Sequence, residues 1–492
     1  MSAIQSFLSA CRRPAVLDFG DRPIALLPGR HALDVSSGKL VIDAWDDQRS
    51  LSRRILSIER SAPGVLDCAV QRFGGAPGRL SFLDLERPQT ASRSLRGSRQ
   101  FFAEQFRRML CRQFPGWNIT TLSAGPDLSR SFSPVFPRAS LIRGNRHVAA
   151  LACPAPEDEP AMLSFALLWF DYLCSHLPDA ADVSLCLFLP ETAGNLTAQR
   201  LRWLTGRPLH TRVFLFNEHG MAGQVDLADL GNLETRLTSH YQTARITPEW
   251  DALLTRLAGY EGVGCCPEIT GAISIRFRGL EFARFEDSAM LLGIDQKERV
   301  APADFAKIEQ FAVHLASLGN HRDPRASGLP AYPERWFESA VRSGLTVLDA
   351  ELLPVPVHGQ VLTFAGGERE LIDLLAISRR GQLAIIELKT SDDIQLPIQG
   401  LDYWMRVGWH AGRRELDPLF PGMSIATASP KLLLVAPALA FHPSNEIVMR
   451  YFSPEIEVQR VGVNSEWWAD LKVVTRLEGA DVPISHRREN ET

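Results

Sequence analysis

The sequence predicts a multi-domain protein of mixed α/β class (an α+β assembly of several cores), and three observations carry that prediction. The chain has 492 residues, too many for one core and suited to about three domains. Residues 20–86 read as short strands broken by turn residues at regular spacing. Residues 98–220 and 332–477 instead alternate apolar strands with helical runs, the pattern of an α/β layer. Net charge is −4, so the chain as a whole does not attract a polyanion and any nucleic acid must be held by a local patch.

Five segments follow from this reading: a small β-rich module at 1–90, an Arg-rich α/β domain at 91–220, a helical and hairpin connector at 221–330, a further α/β domain at 331–480, and a disordered tail at 481–492. In the first segment RPIALL, KLVIDAW, RILSIER and RLSFLDLE stand between Pro-Gly and Asp-Asp turns, which suggests a small barrel or sandwich. It holds no charged cluster suited to catalysis, so a structural or docking role is expected there.

Between Arg87 and Arg146 there are eleven arginines against two acids, Glu104 and Asp127, a local charge of +9. Such a stretch can neutralise phosphates, and Arg96, Arg99, Arg107, Arg108, Arg143 and Arg146 are the expected DNA contacts. The competing reading is a solvated helix face paired with acids elsewhere. Ser98 to Phe114 has helical periodicity and stops at Pro115-Gly116. WNITTLS, the run through PRASLIRG, and HVAALACPA then read as strands, followed by the helix MLSFALLWFDYLCSHL, the strand SLCLFLP, the helix TAQRLRWL and the strand RVFLFNE. In the connector, LADLGNLETRL and PEWDALLTRLAGY read as helices and AISIRFRGLEFARF as a hairpin. GNHRDPRASGLP, at 319–330, is the best linker in the chain.

The last α/β segment carries the chemistry. PERWFESAVRSG reads as a helix bearing Glu334 and Glu338 one turn apart, and TVLDAELLPV as the strand after it. ELIDLLAI then places Asp373 in an apolar run, Arg380-Gly381 makes a turn, and Leu383–Ile386 leads into Glu387-Leu388-Lys389. Side chains alternate along a strand, so Glu387 and Lys389 share a face while Leu388 enters the core. Two acids and a lysine thus meet at the ends of adjacent strands, where carboxylates can hold a hard divalent cation. Only six of the 53 basic residues are lysine, which makes one in this position harder to dismiss. Asp392 and Asp393 just downstream suit capping of the next helix better than a metal.

The order helix, three strands, helix, strand, with Asp373 fourteen residues before Glu387-Leu388-Lys389, resembles the PD-(D/E)XK nuclease superfamily. Gln399-Gly400-Leu401-Asp402-Tyr403 resembles the Q-xxx-Y motif of its RecB-like branch. Ile372 stands where that signature often has proline. The resemblance implies a restriction-endonuclease-like αβββαβ core and a DNA nuclease in repair, restriction or anti-phage defence. It implies Mg²⁺, with Mn²⁺ as a possible substitute, held by Asp373, Glu387 and the Leu388 backbone carbonyl and completed by Glu338, with Glu334 as the alternative. Lys389, its pKa depressed in the cleft, would orient or deprotonate the attacking water, and Gln399 and Tyr403, four apart on a helix, would position it. A nucleic-acid-binding or scaffold protein with a vestigial nuclease fold is the alternative, and an RNA endonuclease is a third reading. The intact Asp, Glu and Lys argue against a vestige.

The central segment repeats the same element order, with Ala150-Leu151-Ala152 where E-x-K would stand, so a degenerate copy that keeps its arginines for DNA is expected. Other chemistries lack support. Gly38-Lys39 has no glycine five residues upstream of Gly38, so there is no Walker A loop and translocation would need a separate ATPase or helicase partner. GxSxG and HExxH are absent. None of the eight cysteines forms a CxxC, which leaves no zinc or iron–sulfur pattern. The start lacks a signal-peptide pattern and no apolar run is long enough to span a bilayer, so a bacterial cytoplasmic location is expected. Oligomeric state is left open.

Overall fold

The computed structural model describes residues 1–18, 24–27, 30–36, 39–45, 50–62, 64–71, 77–84, 88–127, 129–178, 182–217, 219–229, 235–237, 246–260, 262–268, 271–294, 297–318, 333–365 and 368–479. It is a mixed α/β chain, divided into two compact units, and the described residues form four sheets. The first comprises Met1–Glu234 with Ala365–Arg369 and Arg450–Ser453, and the second holds the remainder. The expected linker at 319–330 and tail at 481–492 lie outside the described residues. Among the described residues no helix is long and apolar enough to cross a membrane.

The first unit begins with α1 (Ser2–Ala10) and strands β1 (Pro14–Asp18), β2 (Ile24–Ala25), β3 (His31–Ser36), β4 (Lys39–Trp45), β5 (Ser50–Ala62), β6 (Val65–Gln71) and β7 (Pro77–Asp84). These form one antiparallel sheet in the order β2-β1-β7-β6-β5-β4-β3. The expected strands are present, but they make a single curled sheet and not a two-sheet sandwich. β2 touches β4 although the two are not neighbours in the ladder. Ile42, Leu66, Cys68, Leu80 and Phe82 line its core with Ile4 of α1.

The unit continues with α2 (Pro88–Gln113), β8 (Asn118–Ser123), β9 (Arg138–Arg143), β10 (Arg146–Ala152), α3 (Glu159–His176), β11 (Asp182–Pro190), α4 (Asn195–Leu201), β12 (His210–Phe216) and β13 (Ala222–Val225). The sheet runs β13-β12-β11-β10-β9-β8. β8, β9 and β10 are antiparallel neighbours, β10, β11 and β12 are parallel, and β13 returns antiparallel to β12.

The second unit opens with β14 (Thr235–Leu237), α5 (Pro248–Ala258), β15 (Val263–Pro267), β16 (Ile273–Phe277), β17 (Leu280–Glu286), β18 (Ala289–Leu292), β19 (Glu298–Val300) and α6 (Phe305–Leu318). The expected connector is more than that. β15 to β19 form a five-stranded antiparallel sheet whose Ile275, Phe282, Phe285 and Met290 share a core with Trp250 of α5 and Ile308 of α6. LADLGNLETRL, read as a helix, holds only one 3-10 turn at Leu227–Asp229 and the edge strand β14, with 230–234 outside the described residues.

Next come α7 (Pro333–Ser343), α8 (Leu345–Leu348), β20 (His358–Ala365), β21 (Glu368–Ile377), β22 (Leu383–Leu388), α9 (Leu396–Gly412), β23 (Lys431–Pro437), α10 (Ser444–Met449), β24 (Val458–Val463) and β25 (Val473–Glu478). The sheet order is β14-β20-β21-β22-β23-β24-β25. β21 and β22 are antiparallel, β22, β23 and β24 parallel, and β25 antiparallel to β24. One expected strand is misplaced. The first three residues of TVLDAELLPV, with Leu345 before them, form α8, whose Leu345 and Leu348 are buried, and the remainder makes an isolated bridge from Leu352 to Ser378. The strand between β14 and β21 in the sheet is the later HGQVLTFA.

From β8 to β13 and from β20 to β25 the two sheets share one strand order, and every paired orientation described in both is the same. β22 is buried along its whole length, which is why its sequence is a near-continuous apolar run.

Candidate active site

Asp373 on β21 and Glu387 on β22 stand at the end of the ladder, one step past the last pair, Leu374 opposite Ile386. The Leu388 backbone N–H donates to Asp373 Oδ2 at 3.0 Å and fixes that carboxylate. Lys389, just beyond the strand, donates from Nζ to Glu387 Oε1 at 3.1 Å. The second Glu387 oxygen, Oε2, is buried with no hydrogen-bond partner.

Such burial is costly unless charge arrives to offset it. Desolvation pushes the Asp373 carboxyl up to about 6, against the pull of Lys389 and the Leu388 N–H. Burial, then the Asp373 charge, hold Glu387 well above the ordinary carboxylate range. At Lys389 burial works downward, but Glu387, Glu334, Asp373 and Asp393 outweigh it and keep the ammonium above the usual lysine range. This corrects the expected depression: the lysine faces four acids, so it stays charged.

Glu338 is buried on α7, and α7 packs on β22. It lies near enough to raise Asp373, yet its Oε1 accepts from Arg276 Nη1 of β16 at 3.0 Å. The glutamate expected to complete a metal site is therefore paired with an arginine from the five-stranded sheet. Sequence reasoning missed Arg276, and 62 residues of separation left no local signal for it. The rest of the β16–β17 turn also docks on α7. Arg278 lies 5.6 Å from the Trp336 ring centroid, and Gly279, at φ 85°, sits where any Cβ would collide with the Arg335 carbonyl.

Helix α9 packs on β22 and β23 and carries Gln399 and Tyr403. Gly400 permits this approach, since a Cβ there would stand 2.8 Å from Leu434 Cδ2 and 3.1 Å from Leu432 Cδ2. Gln399 Oε1 is a second buried oxygen without a partner, and Tyr403 is buried beside it on the helix. Neither aspartate caps α9 as expected, since the N-cap residue is Gln395; Asp393 Oδ1 accepts from the Gln395 N–H at 2.7 Å in the turn before the helix, and Asp392 is exposed.

Among the described residues no three acidic, histidine or cysteine side chains converge as a ready-made metal cage. Magnesium does not need one. It is commonly held by one or two carboxylates, with water and substrate phosphate completing its shell. Asp373, Glu387 with its orphaned oxygen, and the Leu388 carbonyl fit that requirement.

The central sheet puts different residues at the matching place. Leu388 pairs with Val435, and the Lys389 N–H bonds the Val435 carbonyl; Ala152 pairs with Phe188, and the Cys153 N–H bonds the Phe188 carbonyl. The register therefore aligns Glu387-Leu388-Lys389 with Leu151-Ala152-Cys153, one residue beyond the expected Ala150-Leu151-Ala152. Arg138 pairs with Leu151 and stands in the place of Asp373. It is buried, donates to the Gly125 carbonyl at 3.0 Å and lies 4.6 Å from the Phe132 ring centroid. None of the residues aligned with Asp373, Glu387 and Lys389 is an acid or a lysine.

Of the six arginines expected to contact DNA, Arg107 and Arg108 are exposed and loosely paired with Glu104 at 3.5 and 3.7 Å. Arg99 is partly buried, and burial lowers its pKa. Arg143 and Arg146 are exposed and opposite each other across the β9–β10 turn, and the Arg96 side chain lies outside the described residues. No family model matches the chain, and no curated protein matches it.

Proposed function

We propose that the chain is a Mg²⁺-dependent nuclease that hydrolyses DNA phosphodiester bonds, in repair, restriction or defence against foreign DNA. One observation carries the reading: half-buried Asp373 and buried Glu387 lie side by side with raised pKa values, one Glu387 carboxylate oxygen unpartnered, and the Lys389 ammonium 3.1 Å from the other. A structural ion pair would satisfy its own oxygens, whereas this one leaves acceptor capacity buried and unused. The helix, three strands, helix and strand around it support the same reading, as does the spacing of Asp373, Glu387-Leu388-Lys389 and Gln399–Tyr403.

The residues divide the work as follows. Asp373, fixed by the Leu388 N–H, and Glu387 present anionic oxygens to a divalent cation. When bound, magnesium neutralises charge developing on the phosphoryl oxygens and acidifies an attacking water. Lys389 remains protonated, so it acts as a donor that orients the water or a phosphoryl oxygen and not as the base. Gln399 Oε1 is a free acceptor for the water's second hydrogen. Glu338, neutralised by Arg276, holds α7 against the site.

The test is cleavage of linear, circular, single-stranded and branched DNA by purified chain in Mg²⁺ or EDTA, beside Lys389→Ala. Cleavage that needs the metal and vanishes in the variant is expected. Activity unchanged by the substitution would mark a contaminant, and intact substrates in both Mg²⁺ and Mn²⁺ would overturn the proposal.

A further inference from the structure

The six-stranded sheet of the first unit is apolar where α2 covers it and polar where the helix ends. Residues directly opposite in a ladder share a face. Register places Arg146 opposite Asp182, Ser184 opposite His210, and Cys186 opposite Arg212. On the same face Val148, Cys186, Phe188 and Phe214 pack with Phe106, Leu110 and Phe114 of α2. α2 stops at Gln113, and Gly116, at φ 77°, turns the chain so that Trp117 meets Phe114 edge-on at 5.7 Å. Past the end of the helix, the uncovered polar row and Trp117 enclose a groove of 580 Å³ whose lining includes Arg146, Asp182, Ser184, His210 and Arg212. That volume falls in the range of roughly 300–1,000 Å³ typical of small-ligand clefts.

The groove is prepared for an anion beside an aromatic face. Among the described residues neither Arg146 nor Arg212 has a carboxylate in ion-pair contact, although Asp182 sits opposite Arg146 in the ladder. Arg212 is already oriented: Nη2 donates to Ser184 Oγ at 3.3 Å, and Cζ lies 5.0 Å from the Phe114 ring centroid. Trp117 is only partly buried, so ring surface remains for a ligand. Two arginines against one aspartate leave a small net positive charge with the histidines neutral. That is too little to collect polyanions indiscriminately, and a contact with the ring must supply part of the affinity. An unpaired base has a π-face to offer such a ring, whereas a base within a duplex does not.

We propose that this groove binds single-stranded nucleic acid, with one base stacked on Trp117 and the flanking phosphates on Arg146 and Arg212. It would give the six-stranded sheet a binding role where it lacks counterparts of Asp373, Glu387 and Lys389. The proposal stands apart from the hydrolysis proposed above, because the groove belongs to the first unit and Asp373, Glu387 and Lys389 to the second.

The test is fluorescence anisotropy of fluorescein-labelled dT12 and rU12 with the full-length chain in EDTA, where binding is read without cleavage. Trp117→Ala, Trp117→Phe, Arg146→Ala and the remote control Arg79→Ala are compared, each first shown to melt like wild type. Trp117→Ala should weaken binding by about five- to tenfold, while Trp117→Phe keeps a stacking face and stays near wild type. Arg146→Ala should weaken binding and reduce the slope of log affinity against log salt by about 0.7. Arg79→Ala should bind as wild type. The tighter of the two oligonucleotides identifies DNA or RNA as the source. Affinities within twofold of wild type for both Trp117→Ala and Arg146→Ala would overturn the proposal. So would inorganic polyphosphate competing as well as the oligonucleotide at equal phosphate, since the base would then contribute nothing. Should Trp117→Ala fail to fold, Trp117→Leu, which keeps apolar bulk and removes the π-face, carries the same test.

Discussion

Asp373→Asn should make the metal-free protein more stable, not less. The wild-type carboxyl is pushed from an ordinary 3.8 up to about 6 by burial. A carboxyl raised on folding favours the protonated folded state. The penalty is absent below the unfolded pKa, grows between about pH 4 and 6, and is fully present above the folded value. About two pKa units correspond to roughly 3 kcal/mol, an upper value because solvent still reaches part of this side chain. Asparagine keeps the oxygen that accepts from the Leu388 N–H and removes the charge. In EDTA at pH 7.5 the unfolding transition of Asp373→Asn should therefore lie several degrees above wild type, and the difference should shrink toward pH 4. Millimolar Mg²⁺ should raise the wild-type transition, because a ligand for the folded state alone stabilises it, and leave the variant unmoved. The assay is thermal unfolding followed by circular dichroism at both pH values, with and without metal. A variant less stable than wild type in EDTA, or a wild-type transition indifferent to Mg²⁺ and Mn²⁺, would refute the reasoning.

Three further outcomes follow from the same geometry. Lys389→Ala should lower the single-turnover cleavage rate by about 10²- to 10³-fold, the range expected for loss of one preorganised hydrogen-bond donor. Arg276→Ala removes the 3.0 Å ion pair to buried Glu338, which keeps its other contacts, and should cost about 1.5–3 kcal/mol in urea unfolding. The double variant with Glu338→Gln should recover part of that loss. Gly400→Ala drives a Cβ against Leu434 and Leu432 and should shift α9, lowering cleavage and stability together by about 1–3 kcal/mol despite alanine's better helix propensity. Adding Leu434→Ala should relieve the clash and restore cleavage in part.

Much of the candidate site was legible because its residues violate a local rule. Glu387 and Lys389 end an apolar strand where buried charge is expensive, and Asp373 interrupts another, so they stand out from the sequence alone. The pairing of Glu338 with Arg276 was not legible, because it joins a helix to a different sheet and neither residue departs from its local pattern. The lysine's pKa was misjudged for a related reason: burial is visible in sequence, but the four acids that outweigh it gather only in space.

The element order of both α/β segments was readable from periodicity, yet boundaries slipped where composition is uniform. In HVAALACPA nothing marks the last residue of the strand, and the register moved by one. TVLDAELLPV offers β-branched residues, but Leu345 and Leu348 bury together three residues apart as a helical turn. HGQVLTFA was passed over, its Gly359 weakening the strand pattern. That glycine leaves room for Glu338, whose Oε1 would lie 2.7 Å from any Cβ at that position. The five-stranded sheet was underestimated because its last two strands, β18 with four residues and β19 with three, are too short to show a period.

The most direct measurement of the central claim is single-turnover cleavage of end-labelled DNA by wild type and Glu387→Gln, purified identically and titrated with Mg²⁺. The account predicts metal-dependent product with wild type and loss of at least about 10²-fold in the variant, whose amide keeps an acceptor oxygen but cannot supply the anionic charge. Equal rates for the two proteins at saturating Mg²⁺ would contradict it.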